Sequence, residues 1–376
     1  VNIPRVSYST SEEMGNGKMI FTRTGGAEDP TSPHEIDLSG NRLKQGDHYE
    51  ESFNNDVQLK DGSIYTIQFS GEDLAGNVAI NVSVENITFD TSPPVIMINE
   101  PTANGFYNQV MLDYELNETL VSGKIILERR GGANDPMSPH EIALSNDQLL
   151  PGKKSDFLIN THTNLISNTT YNIRIEGQDM AGNMGKSLEI AGVTFDDIPP
   201  DISVTSPAPD SYINETILGL RTNEVLSEAK IEWIWVDGNP DPAGPHESKM
   251  IGDQLQDGDY PEVKFDPPPT LISSARYRVV YTGTDRAGNT STYALGTLFY
   301  DNEPPEISML FPIENGFTNA NEVSYELNEP LLMANLIWTP IDDAETISID
   351  LAGDELKPGI FTQATLANQS ELSDGT

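Results

Sequence analysis

The chain has 376 residues, 59 acidic against 21 basic side chains, a net charge of -38 and no cysteine. Charge of that sign and size repels nucleic acid and anionic membrane surfaces, and the missing thiols exclude disulfides, thiolate metal sites and cysteine nucleophiles. The 30 Gly and 26 Pro, beside only 36% hydrophobic residues, suit short strands joined by turns and poorly suit a helical protein.

In chain order, the opening Val1-Asn2-Ile3-Pro4 lacks the basic and then apolar pattern of a leader, and no apolar run is long enough to cross a membrane. A signal or anchor is therefore expected outside this segment or already removed, with no membrane insertion within it. Repetition then dominates. Asp-x-Ala-Gly-Asn begins at Asp73, Asp179 and Asp285, 106 residues apart, and Pro-His-Glu places His34, His140 and His246 at the same spacing. Pro-Pro pairs begin at Pro93, Pro199 and Pro304, and Tyr8, Tyr114, Leu220 and Tyr325 mark one strand position in four copies. A fixed period of this length signals an array of similar modules. The limits read as 1–94, lacking its first strand, then 95–200, 201–305, and 306–376, lacking its last two strands.

The second copy predicts strands at Val95 to Glu100, Gln109 to Leu116 and Lys124 to Arg130. Short extended pieces follow at Ile142 to Leu144 and Asp156 to Ile159. Tyr171, Ile173 and Ile175 alternate into the next strand, the turn Asp179 to Asn183 reverses the chain, and Lys186 to Phe195 returns. About seven strands in one period predict an all-β chain of tandem immunoglobulin-like, seven-strand Greek-key β-sandwiches arranged as an elongated rod. Phe21, Leu127, Trp233 and Trp338 share one column of the third strand, where a large buried side chain is expected. Both ends fall inside a repeat, so a longer parent protein is expected, or a filament in which neighbouring chains complete the half repeats by strand addition.

These Asp-x-Ala-Gly-Asn turns and Pro-Pro linkers resemble the bacterial immunoglobulin-like repeats of large cell-surface adhesins and extracellular matrix proteins. The resemblance covers the whole chain. It implies an extracellular or cell-surface location and calcium at the module junctions.

At the junctions, Phe89-Asp90, Phe195-Asp196-Asp197 and Tyr300-Asp301 precede the proline pairs, which stiffen the crossing. Calcium takes six to eight oxygen ligands, and carboxylates are preferred among them. Asp90, Asp196, Asp197 and Asp301 are the first candidates, with Asp73, Asp179 and Asp285 behind them. The alternative is that these aspartates cap turns and solvate the surface. Glu12, Glu118, Glu224 and Glu329 form another column just after the second strand, open to ion binding or to loop hydrogen bonds. The histidines follow Asp29, Asp135 and Asp241 by five residues, and the fourth copy places Ile347 there in a loop four residues shorter. One imidazole per module without a nucleophile points to a loop histidine held by backbone or carboxylate rather than to a metal or catalytic site. Asn-x-Ser/Thr sequons, for example at Asn86, Asn117 and Asn168, are ordinary for a composition this rich in Asn, Ser and Thr.

The leading expectation is a non-enzymatic structural or adhesive stalk or filament segment, partnered by neighbouring modules or copies of the same protein. Two alternatives remain: modules that recognise a glycan or a surface protein, and spacers in a large secreted enzyme. Trp235, aligned with Arg23, Arg129 and Pro340, is the best candidate for an exposed binding aromatic.

Overall fold

In the second repeat, inward and outward residues alternate without a break along Thr169–Asp179, so Tyr171, Ile173, Ile175 and finally Asp179 all face inward. That period of two is what an extended backbone with one apolar face dictates. A computed structural model describes this chain at residues 1–316, 322–339 and 346–365; Pro340 and the stretch beyond 365 lie outside them. Every element among the described residues is a strand or a short 3-10 turn, and no helix is long and apolar enough to cross a membrane.

Thr169–Asp179 is flanked on one side by Leu120–Gly132 and then His140–Ala143. On the other side lies Ile190–Phe195, with Phe106–Tyr107 running parallel to it at the sheet's edge. The opposing sheet is Ile96–Glu100, Met111–Leu116 and Gly152–Leu158. Leu112 and Tyr114 from that sheet pack in one core with Leu127 and Ile173 from the other, all four inaccessible to solvent. Burying an aliphatic side chain of this size contributes roughly 1.5–3 kcal/mol.

The third repeat has the same plan. Ile202–Ser206, Leu218–Thr222 and Gly258–Val263 face a sheet ordered Tyr212–Ile213, Thr290–Tyr300, Ala275–Asp285, Leu226–Gly238 and His246–Lys249. In the first, Arg5–Thr10 and Gly46–Ser52 face His34–Asp37, Met14–Gly26, Ser63–Asp73 and Val82–Phe89. The fourth contributes Ile307–Phe311, Glu322–Leu327 and Gly359–Thr365, with Asn335–Trp338 paired to Ile347–Asp350.

The chain is thus a tandem array of immunoglobulin-like β-sandwiches. The fourth strand, His140–Ala143, pairs with the third and not with Gly152–Leu158. Setting the short parallel strand aside, this puts three strands against four, where the immunoglobulin constant arrangement has the fourth strand on the other sheet.

Three details differ from the sequence reading. The returning strand expected at Lys186 to Phe195 is broken into Met184–Lys186 and Ile190–Phe195. Ser187 turns inward at the break, and its Oγ accepts the Ile175 N–H at 2.9 Å in place of a ladder carbonyl. A 3-10 turn, Asn146–Leu149, lies between the two short extended pieces, closed by the Ser145 N–H donating to Gln148 Oε1 at 2.8 Å. Phe21, Leu127 and Trp233 are fully buried, but Trp338 is only half-buried, because Asn335–Trp338 is flanked by a single strand among the described residues.

Candidate ion-binding junctions between repeats

Two groups of three carboxylates form where one repeat meets the next. Asp90 comes from the linker after Val82–Phe89, Glu118 from the loop after Met111–Leu116, and Asp179 from the inward end of Thr169–Asp179. One oxygen of each lies within 4.8 Å of the others. The second group has the same origin one period later: Asp196, Glu224 and Asp285, again within 4.8 Å. Asp196 and Asp285 are buried, as is Asp179.

Local hydrogen bonds hold the aspartates in place. Asp179 Oδ1 accepts the N–H groups of Ala181, Gly182 and Asn183 at 2.7–2.8 Å, and Oδ2 accepts the Asn183 side-chain amide at 2.8 Å. Burial opposes ionisation of Asp179, but these bonds outweigh it and keep the carboxyl below its usual range. Asp285 accepts the Asn289 N–H and side-chain amide, each at 2.8 Å. Asp196 Oδ1 accepts from the Ser167 hydroxyl at 2.8 Å.

The glutamates carry the electrostatic cost. Burial and the nearby Asp179 and Asp90 charges push Glu118 up. Burial, Asp196 and Asp285 push Glu224 up to about 7. Among the described residues no hydrogen-bond donor reaches the Glu224 carboxylate. Two like charges this close repel by about 3 kcal/mol at an effective dielectric near 20, so each trio is a place of concentrated negative potential made only of oxygen donors. Such a donor set suits a hard divalent cation.

Of the seven aspartates singled out in the sequence, the structure brings Asp90 together with Asp179, and Asp196 with Asp285. Asp73, Asp197 and Asp301 fall in neither trio. Asp73 caps its own turn through the Ala75 and Asn77 N–H groups. Asp197 is exposed, and Asp301 accepts from the Ser273 hydroxyl and the Glu303 N–H. Glu118 and Glu224 complete the trios; their column was visible in the sequence, but its meeting with the linker and turn aspartates was not.

The histidine column has a different chemistry. Asp135 Oδ2 lies 2.6 Å from His140 Nε2 and accepts the Tyr171 hydroxyl at 2.6 Å. Asp29 does the same with His34 and Tyr65 at 2.6 Å, and Asp241 with His246 and Tyr277 at 2.7 Å. Burial raises the cost of each aspartate charge, yet the tyrosine and histidine bonds prevail and hold all three carboxyls below the ordinary range. Burial and the bonded carboxylate push Tyr171 and Tyr277 up to about 12. The imidazoles are bound by carboxylate, one of the two partners the sequence suggested. Tyr65 and Tyr277 were not singled out, and Tyr171 only as a strand residue, although the three are 106 residues apart.

Trp235 is 38% exposed, and its indole N–H donates to the Asn239 carbonyl at 2.9 Å. Arg23 and Arg129, in the same column, donate Nε–H to Ala27 and Ala133 carbonyls at 2.7 and 2.6 Å. The tryptophan is thus engaged in closing a loop that arginine closes in the first and second repeats.

No protein-family model and no curated protein matches the chain. Among solved structures it is similar to a tetra-tandem repeat in the extending region of a large adhesion protein, at 16% identity and a TM-score of 0.30, covering 100% of this chain and 89% of that one. It is also similar to a structure of a 1.5-MDa bacterial ice-binding adhesin, at 11% identity and a TM-score of 0.29, covering 79% of this chain and 91% of that one. A third similarity is to fibronectin(III)-like modules of Clostridium thermocellum CbhA, at 12% identity and a TM-score of 0.26, covering 55% and 94%.

Proposed function

We propose that this chain is a segment of a non-enzymatic extracellular stalk, with repeats limited at 1–94, 95–200, 201–305 and 306–376, whose junctions are stiffened by calcium. The observation that carries the reading is the origin of each acidic trio: the linker aspartate belongs to the end of one repeat, and the glutamate and turn aspartate to the next. A cation there ties two modules together and relieves the repulsion that raises Glu118 and Glu224. The cation supplies charge neutralisation and coordination, and the protein supplies preset oxygens: Asp179 and Asp285 are fixed by turn amides before any ion arrives. Regular proline-stiffened crossings and a strongly acidic surface suit a spacer that holds other parts of a molecule away from a cell.

The test is calorimetric titration of the whole chain with calcium, paired with thermal unfolding in millimolar calcium and in chelator. Binding to the folded state alone stabilises by about 2.7 kcal/mol at a hundredfold excess over Kd. The expected result is a calcium-dependent rise in Tm that shrinks in Asp196→Asn/Glu224→Gln. Equal melting in calcium and chelator, without heat of binding, would overturn the junction-calcium reading.

A further inference from the structure

The acidic trios are not the only contacts between repeats. Asn183 uses its side-chain amide within its own turn and also donates to the Asp90 carbonyl at 3.0 Å in the preceding linker. One period on, Asn289 donates to the Asp196 carbonyl at 2.9 Å. The turn glycines lie against the same neighbour. Gly182 has φ +97°, and a Cβ there would sit 3.4 Å from the Asn2 side chain; Gly288 has φ +91°, with Asn108 at 3.8 Å. Asn2, Asn108 and Asn214 are themselves 106 residues apart. At the second position of the turn the residue changes: Leu74, Met180, Arg286. The Arg286 guanidinium lies 5.1 Å from the centre of the Phe106 ring, across the junction.

We infer that the Asp-x-Ala-Gly-Asn turn is a docking surface for the preceding repeat, closed by contacts that need no ion, and that its second residue reads an aromatic side chain on that neighbour. The asparagine amide and the glycine make the common part of the contact. An amide donor meeting a backbone carbonyl closes this contact without a cation between the two groups. Arginine over an aromatic face is the variable part, since a guanidinium is drawn to the ring's negative face. The partner it fits is a repeat with an aromatic residue two positions before the asparagine, as Phe106 stands before Asn108 and Tyr212 before Asn214. Tyr212 offers the same chemistry, 76% exposed and stacked on Phe299 at 4.8 Å. Met180 holds the equivalent position in the second repeat's turn, so the two junctions share the amide latch and carry different side chains at the reading position.

Because the chain has no cysteine, Met137→Cys/Ile251→Cys introduces a single pair of spin labels at exposed sites on either side of the second junction. Electron–electron distances would be measured in chelator, in this background and with Arg286→Leu or Asn289→Ala added. Arg286→Leu installs the residue found in the first repeat's turn. The expected result is a narrow distribution in chelator that is lost in both variants, while near-ultraviolet circular dichroism and Tm stay unchanged for Arg286→Leu. A parent distribution that is broad in chelator and narrow only in calcium overturns the latch and leaves the ion reading standing. A narrow distribution unaffected by Arg286→Leu overturns the role of that residue as reader.

Discussion

The Tyr171 hydroxyl donates to the Asp135 carboxylate at 2.6 Å across a separation of 36 residues. The same hydroxyl accepts the Ile166 N–H at 3.2 Å, so one phenol ties together three stretches of chain at the base of the second sandwich. Tyr171→Phe keeps the ring in the core and removes only the oxygen, leaving Asp135 short of a donor. A hydrogen bond to a charged group contributes about 1.5–3 kcal/mol, and a loss of that size is expected for the second repeat. Hydrogen exchange of the Thr169–Asp179 amides measures it locally.

The same aspartates set an acid limit. Their folded pKa values lie below the unfolded one. The stability they contribute is therefore complete above the unfolded aspartate pKa near 3.9 and is lost only as pH falls through the folded values. Asp135→Asn should flatten the pH dependence of unfolding below about pH 4, measured by denaturant titration at successive pH values.

Glu224 works in the opposite direction. Its folded pKa of about 7 lies above the unfolded value, so the folded state binds the extra proton and stability falls as pH rises from the unfolded glutamate pKa toward 7. The group is partly open to solvent, so the loss is about 1–2 kcal/mol after screening. Glu224→Gln should remove this slope in chelator. An unchanged slope between pH 5 and about 7 would show that the carboxylate is not held against its neighbours.

Gly132 has φ +72°, and a Cβ there would collide with the Asn168 carbonyl. Left-handed backbone costs a non-glycine residue roughly 1–2 kcal/mol before any clash is counted. Gly132→Ala is expected to destabilise the second repeat by at least about 2 kcal/mol, read as earlier exchange of the amides of Leu120–Gly132.

Trp235→Arg should be close to neutral in unfolding experiments, because arginine closes the equivalent loop at Ala27 and Ala133. Trp235→Ala leaves the Asn239 carbonyl without its donor and is expected to lower stability by about 1 kcal/mol.

Periodicity made the array legible, because one spacing recurred in turns and histidines and, to within a residue, in the proline pairs. The alternation of Tyr171, Ile173 and Ile175 gave one strand its inward face directly. Ser187 did not announce itself, since a serine replacing a ladder carbonyl looks like any surface serine in a linear pattern. The 3-10 turn left a weak signal in Asp147-Gln148-Leu149, Asp253-Gln254-Leu255 and Asp354-Glu355-Leu356, easily read as loop. The trios required tertiary information: Asp90 and Asp179 are 89 residues apart, and nothing local distinguishes them from Asp73, which only caps a turn. Tyr171 was legible as a strand residue, and its ring is core; its oxygen is what binds the aspartate.

The short Phe106–Tyr107 strand lies parallel to Ile190–Phe195, with the Thr194 and Asp196 N–H groups donating to the Gly105 and Tyr107 carbonyls at 2.9 and 3.0 Å. The third repeat copies this, the Phe299 and Asp301 N–H groups donating to Ser211 and Ile213. A pull on the chain from both ends of such a module drags these parallel strands in opposite directions along their length. The bonds are then loaded in shear, all at once, and not peeled open one after another. Single-molecule stretching should accordingly record high, evenly spaced rupture peaks from the central modules, and Gly105→Pro/Tyr107→Pro, which disturbs this short strand, should lower the peak of the second repeat and leave that of the third intact.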